Sequence, residues 1–283
     1  MLTRILVAVI FAPILFAILF FLPPVMTAVL VAVIAGMASF ELLRATRVAH
    51  HNGMYVYTAL AAVLIPMGAY LGDAVFGVSK LIPVSICAFL LMCALFLSSI
   101  RRFGSEDPIP LEHIMVCMFG GVVIPAFLSA LIYLRLKDAG RYLVLLPIIC
   151  AFLTDAGAYF AGVFLGKHRG ITKVSPNKSL EGYIGGILSG GVFMLLYAVI
   201  LQQFAGLTPS FSVMAVYGLV GSAVTELGDL SFSLIKRQYG VKDYGKLLPG
   251  HGGMLDRFDS MTFAAPALWL MVELMPALGL FCG

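Results

Sequence analysis

The sequence predicts an all-α, polytopic integral membrane protein with about nine transmembrane helices and its N-terminus inside. Three observations predict it. Of 283 residues, 61% are hydrophobic and 11% charged, with a mean hydropathy of +1.04; a water-soluble domain is about a quarter charged, so the surplus apolar surface has to face lipid. The apolar residues fall in runs of about 20, enough for a helix to cross a hydrocarbon core of about 30 Å. The basic residues are shared unevenly between alternate loops, which sets orientation. Disorder, collagen, a coiled coil and a disulfide-stapled secreted module are excluded by the same composition. The five cysteines are odd in number, with Cys87, Cys93, Cys150 and Cys282 in or beside apolar runs, where a thiol is a small hydrophobe. No basic block suggests nucleic acid.

In chain order the expected spans are Ile5 to Leu22, Val25 to Leu43, Tyr55 to Leu71, Leu81 to Ile100, Ile114 to Leu134, Tyr142 to Leu165, Tyr183 to Phe204, Phe211 to Ile235 and Ser260 to Phe281. The first is a helix rather than a signal peptide, because its apolar stretch is long and runs into Pro23-Pro24 instead of a small-residue cleavage site. The fifth holds Gly120, Gly121 and Pro125, which predict a kink. With nine spans, 14 of the 18 Lys and Arg share the side of the N-terminus, leaving Lys80, Arg135, Lys137 and Arg141 on the other. That bias places the N-terminus and the richly charged loops in the cytoplasm, and the uncharged end, Leu280 to Gly283, outside. Asp73 and Glu273 fall on the outer side and are expected to cap helices or pair locally.

Charge also divides the chain into an N-terminal membrane region, 1–140, with about five spans, and a C-terminal catalytic region, 141–283, whose helices carry polar cytoplasmic loops. Residues 151–260 hold seven acids and nine bases, half of all the charges, yet nothing from Ile184 to Thr225 is charged. Two polar clusters separated by a pair of bare helices are therefore expected to fold together at the cytoplasmic face.

The first cluster contains Thr154-Asp155-Ala156-Gly157-Ala158-Tyr159, Gly166-Lys167 and the run Ser175 to Gly182. Asp155 lies inside an apolar run, where a carboxylate is costly and faces a cavity, a cation or a helix-helix hydrogen bond; Tyr159 shares its face. Ser175 to Gly182 combines hydroxyls, the lysine Lys178 and a helix entry, which suits a phosphate, a lipid headgroup or a plain cap. Gly182, Gly186 and Gly190 recur on one face, the spacing of close helix packing, within the chain or across a homodimer.

The second cluster runs through Glu226, Asp229, Lys236, Arg237, Lys242 and Asp243 to Gly250-His251-Gly252-Gly253-Met254-Leu255-Asp256-Arg257-Phe258-Asp259. Glu226 and Asp229, like Asp256 and Asp259, are three apart and share a helix face. Hard carboxylate oxygens suit Mg²⁺, which takes one or two of them beside phosphate oxygens and water. The plainer alternative has Asp256 capping the last span and Asp229 pairing with Lys236 or Arg237. The glycines around His251 would let backbone amides approach a phosphate.

The second cluster, from Ser233 through Lys236-Arg237, Lys242-Asp243, Gly245, Leu248-Pro249 and His251-Gly252-Gly253 to Asp256-Arg257-Phe258-Asp259, resembles the signature of the phosphatidate cytidylyltransferases, or CDP-diacylglycerol synthases, over its whole length. The first is similar to that family's upstream motif, an Asp-x-Gly-Ala-Tyr run before Ser-Pro-Lys-Lys-Thr-Trp-Glu-Gly, with Asn177, Ser179 and Leu180 standing where the family has Lys, Thr and Trp. The resemblance covers about residues 150–260; the first five spans match only as apolar helices. It implies a multi-pass enzyme of the cytoplasmic (inner) membrane that joins CTP to phosphatidic acid in phospholipid biosynthesis. It gives metal ligation to Asp229 and Asp256, with Asp259, Asp243 and Asp155 further ligands or their neighbours. Ser175, Lys178, Lys236, Arg237, Lys242, His251 and Arg257 would hold phosphate groups. Mg²⁺ is the implied cofactor, a second metal or a monovalent cation being left open.

Two other classes fit part of this pattern. Asp155, Glu226 and Asp229 inside apolar runs suit a transporter for a coupled ion, against which stand the one-sided charges and the lack of an inverted repeat. A nucleotidyl- or phosphotransferase for another lipid, such as a polyprenol, is the nearer alternative, and the Asn177 to Leu180 departure keeps it open. A silent scaffold is opposed by the complete second signature.

Overall fold

The computed structural model describes residues 2–48, 52–77, 79, 81–245, 247 and 252–279. His50, His51, Lys80, His251 and residues 280–283 lie outside them. The described chain is helical: α1 (Leu2–Phe20), α2 (Pro24–Thr46), α3 (Asn52–Ala74), α4 (Leu81–Arg102), α5 (Leu111–Met118), a π turn (Phe119–Val123), α6 (Ile124–Leu128), α7 (Ala130–Leu136), α8 (Gly140–Leu143), α9 (Leu145–Phe164), α10 (Leu180–Phe204), α11 (Phe211–Gln238) and α12 (Leu255–Leu274), with a two-residue ladder of β1 (Thr208–Pro209) and β2 (Leu278–Gly279).

Among the described residues seven helical stretches are long and apolar enough to cross a membrane, not the nine expected. The other two expected spans fall on α1 and α12, where the count is not confirmed. In α1 the described side chains begin at Phe11 and give only a short apolar helix to Phe20. In α12 the twenty residues include Asp256, Arg257, Asp259 and Glu273, so the expected ninth span is a polar-ended helix. Elsewhere the apolar surface is where lipid would lie: Phe89, Leu90, Phe164, Leu188 and Val192 are exposed.

The chain forms two compact units. The first holds residues 1–136 and, from far along the chain, 239–258. Its core joins Leu43, Met54, Leu91, Leu95, Ile114 and Cys117. The expected kink is the π turn, where a Cβ on Gly121 would fall 2.7 Å from Leu91 and 2.9 Å from Thr58, so only glycine admits this approach.

The second unit holds residues 137–238 and 259–283. Here α10 lies between α9 and α11, and the Gly182, Gly186, Gly190 stripe meets its partners inside the chain. A Cβ on Gly182 would stand 3.0 Å from the Ala158 carbonyl, one on Gly186 3.1 Å from the Ala158 side chain, and one on Gly190 against the Ser222 hydroxyl. Hydroxyls fill the seams: Thr154 donates to Ser222 at 2.7 Å and Ser189 to the Leu153 carbonyl at 2.7 Å. Glu273 pairs with the distant Lys137 at 2.9 Å and locally accepts the Trp269 indole N–H at 2.9 Å.

Candidate active site

In the second unit the polar residues of the bare-helix pair converge. Ser179 caps α10, its hydroxyl accepting the Gly182 N–H at 3.1 Å, which fixes the residue before it at the helix entrance. That residue is Lys178. Its ammonium lies 2.6 Å from Glu226 and 2.5 Å from Asp229, neighbours on one face of α11, and 5.1 Å from the Tyr183 ring centre. Burial works against the charged lysine, but the Asp229 and Glu226 carboxylates outweigh it and hold the Lys178 pKa above the usual lysine range. The Glu226 side chain is 5% exposed; one oxygen takes Lys178, while Oε1 finds no hydrogen-bond partner among the described residues and faces the bare Cα of Gly186.

Two turns further along α11, Lys236 stands 3.9 Å from Asp259, which is buried at the start of this unit's share of α12 and accepts the Ser260 N–H at 2.7 Å. Asp229 and Asp155 both lie within electrostatic reach of Asp259. Arg237 ties the end of α11 to the approach loop through the Val174 carbonyl at 3.4 Å, and the Ser175 N–H closes that loop on the Thr172 hydroxyl at 3.3 Å. Asp229 thus pairs with Lys178, not with Lys236 or Arg237 as the plainer alternative has it. Of the three departures from the upstream motif, Asn177 and Leu180 are exposed and Ser179 still caps the helix, a duty Thr shares.

In the first unit the rest of the signature is built on backbone. The Asp256 carboxylate accepts the Tyr244 N–H at 2.8 Å and the Gly253 N–H at 3.0 Å, both on Oδ2. Asp256 thus fastens the loop before α12 rather than capping the helix, and it takes the Gly253 amide that the sequence offers to a phosphate. Lys242, Asp243 and Arg257 are exposed, open to soluble ligands; His251 lies outside the described residues.

Two acids were undervalued in the sequence. Glu226 is given no ligand or phosphate role there, yet it is the most buried carboxylate of the second unit among the described residues. Glu41 of α2 escapes notice altogether, although it is a lone acid in the apolar run Ala38-Ser39-Phe40-Glu41-Leu42-Leu43, the criterion that singles out Asp155. It is buried and accepts the Met254 and Leu255 N–H groups at 3.0 and 2.8 Å.

Among the described residues no three His, Cys, Asp or Glu stand ready to enclose a metal. Mg²⁺ does not require that, since substrate phosphates and water complete its shell. The donor type suits it: in the second unit Asp229 and Asp155 lie within electrostatic reach of Asp259, and carboxylate oxygens are the hard ligands that Mg²⁺ takes one or two of.

A helical membrane protein that sets paired carboxylates beside buried lysines is equipped to handle multiply charged phosphate compounds at a lipid surface. The cytidylyltransferase family model matches residues 2–275, nearly the whole chain, and the chain belongs to that family. It is 34% identical over 273 residues to a phosphatidate cytidylyltransferase of Mycobacterium bovis, covering 93% of this chain and 85% of the relative. To one of Staphylococcus haemolyticus it is 32% identical over 217 residues, 77% of this chain and 78% of the relative. To one of Bacillus subtilis it is 41% identical over 140 residues, about half of each.

Proposed function

We infer that this chain transfers the cytidylyl group of CTP to phosphatidic acid, giving CDP-diacylglycerol and pyrophosphate. The observation that carries the reading is the complete signature, from Ser233 to Asp259, in a member of the cytidylyltransferase family. An oxygen of the phosphatidate monoester attacks the α-phosphorus of CTP, a new P–O bond forms, and the bond to the bridging oxygen of the β-phosphate breaks to release pyrophosphate. At neutral pH the attacking oxygen is already anionic, so no protein base is required. The obstacle is repulsion between two polyanions, and fixed cations lower it. Lys178, Lys236, Arg237, Lys242, His251 and Arg257, with Ser175, hold phosphate oxygens. Lys178 is suited to this by carboxylates that keep it charged although largely enclosed. By the family resemblance Asp229 and Asp256 would hold Mg²⁺, with Asp259 three residues after Asp256 as a further ligand; when bound the ion neutralises phosphate charge and sharpens the electrophile. The bias of basic residues toward these loops supports a site on the cytoplasmic face of the inner membrane, where CTP is available.

The test is pyrophosphate release by detergent-purified protein given CTP, Mg²⁺ and phosphatidic acid, with EDTA and an Asp229→Ala variant as controls. Release that needs all three components and is lost in both controls is expected. Silence with phosphatidate but release with another lipid phosphate would move the substrate, and silence with every lipid would overturn the reaction.

A further inference from the structure

The start of α12 is held by a residue more than 200 positions away. The first N–H groups of any helix lack partners within it, and here Gly252-Gly253-Met254, the residues before Leu255, include no Ser, Thr, Asp or Asn to cap locally. Glu41 supplies the acceptor: Oε1 takes the Met254 N–H at 3.0 Å and Oε2 the Leu255 N–H at 2.8 Å, with the side chain buried and its negative charge at the favourable end of the helix dipole. Two glycines are shaped around it. A Cβ on Gly253 would collide with both carboxylate oxygens, and one on Gly245 with Oε1. Asp256 grips the same segment from within, through the Gly253 and Tyr244 amides. Consecutive amides, 253 and then 254 and 255, are thus fixed by two carboxylates.

We propose that Glu41 is a positioning residue for the transfer reaction: through the Met254 and Leu255 amides it fixes the first turn of α12, and with it the placement of Asp256 and Arg257. This rests on the cytidylyl-transfer reading above. A displacement of about 1 Å at a reacting group costs on the order of a hundredfold in rate, so a trans cap two residues from Asp256 acts on kcat. Glutamine in place of Glu41 keeps one acceptor but turns an amide N–H toward the second donor and removes the charge.

The experiment compares wild type and Glu41→Gln in detergent with CTP, phosphatidate and Mg²⁺, measuring kcat, KM for CTP and the folded fraction at the assay temperature. Expected is a roughly 30-fold fall in kcat with KM within about threefold and the folded fraction unchanged. Wild-type kcat in Glu41→Gln, or a fall no larger than the loss of folded protein, overturns the proposal. If wild type itself is folded and silent, the reaction reading fails and takes the proposal with it; an active wild type with an unimpaired variant sinks the proposal alone. Should Glu41→Gln yield no folded protein, Gly253→Ala and Gly253→Ala/Glu41→Asp decide. The shorter acid vacates the space of the new methyl, so recovery of kcat in the pair is expected, and absence of recovery overturns the proposal.

Discussion

The two units solve the problem of buried carboxylates in opposite ways. In the second, Glu226, Asp229 and Asp259 are balanced by lysine side chains, Lys178 and Lys236. In the first, Glu41 and Asp256 are satisfied by backbone N–H groups of one short loop. A side-chain ammonium has rotamers and can be handed from a carboxylate to a phosphate, whereas a backbone amide moves only if the chain moves. Under the proposed function the difference is a division of labour: the lysine-paired acids would exchange partners with an ionic ligand, while the amide-paired acids fix Tyr244 and residues 253–255 at the start of α12.

The largest effect should come from the acid asked to do both. Asp256→Asn keeps a carbonyl oxygen that can accept from Tyr244 and Gly253, so the loop should hold, while its charge is lost. We expect a drop of roughly a thousandfold in kcat, about 4 kcal/mol, with an unchanged circular dichroism melt. An active Asp256→Asn enzyme would leave that residue with the loop-shaping duty alone. Next comes Lys178→Ala, which strands Glu226 without its cation. Removing one partner of a buried pair costs about 3 kcal/mol, the low end of the range because Lys178 is partly open. Adding Glu226→Gln should return most of that stability, but not the activity, since the lysine is still missing. If stability fails to return, the pairing is not what makes the cluster costly to break.

Much of this was legible in advance. The all-α membrane architecture follows from composition and run length, and the Gly182, Gly186, Gly190 stripe is packed as its spacing says. Asp229 and Asp259 do lie within electrostatic reach. What could not be read are pairings between distant positions. Nothing local distinguishes Lys178 from Lys236 as the partner of Asp229, because the choice depends on where Ser179 starts α10. Nothing in the run around Glu41 announces amides that lie more than 200 residues on. Nor does charge or hydropathy tell that 239–258 packs with the first unit. The count of nine spans is not confirmed among the described residues, because α12 carries Asp256, Arg257, Asp259 and Glu273 and the described side chains of α1 begin at Phe11.

Smaller changes probe the frame that holds the lysine-paired acids. Gly190→Ala puts a methyl against the Ser222 hydroxyl and 3.1 Å from that of Thr154, an overpacking worth about 1–3 kcal/mol. Thermal unfolding should show the loss, and Ser222→Ala added to it should give part back by making room. An additive pair would mean that α10 and α11 adjust as a body rather than at that contact.

The smallest effect expected is at Ser179. Its hydroxyl satisfies the Gly182 N–H, one of the orphan donors at the start of α10, so Ser179→Ala should cost about 1 kcal/mol in an unfolding measurement. Ser179→Thr keeps the oxygen and should cost at most a few tenths, the β-branch being tolerated outside the helix. Activity sharpens the comparison more than stability does. Lys178 is the residue before the cap, and its reach to Glu226 and Asp229 depends on how the chain enters α10. If the cap merely stabilises, Ser179→Ala loses activity only as it unfolds. If it aims the lysine, KM for CTP rises in protein that remains folded, and Ser179→Thr restores it.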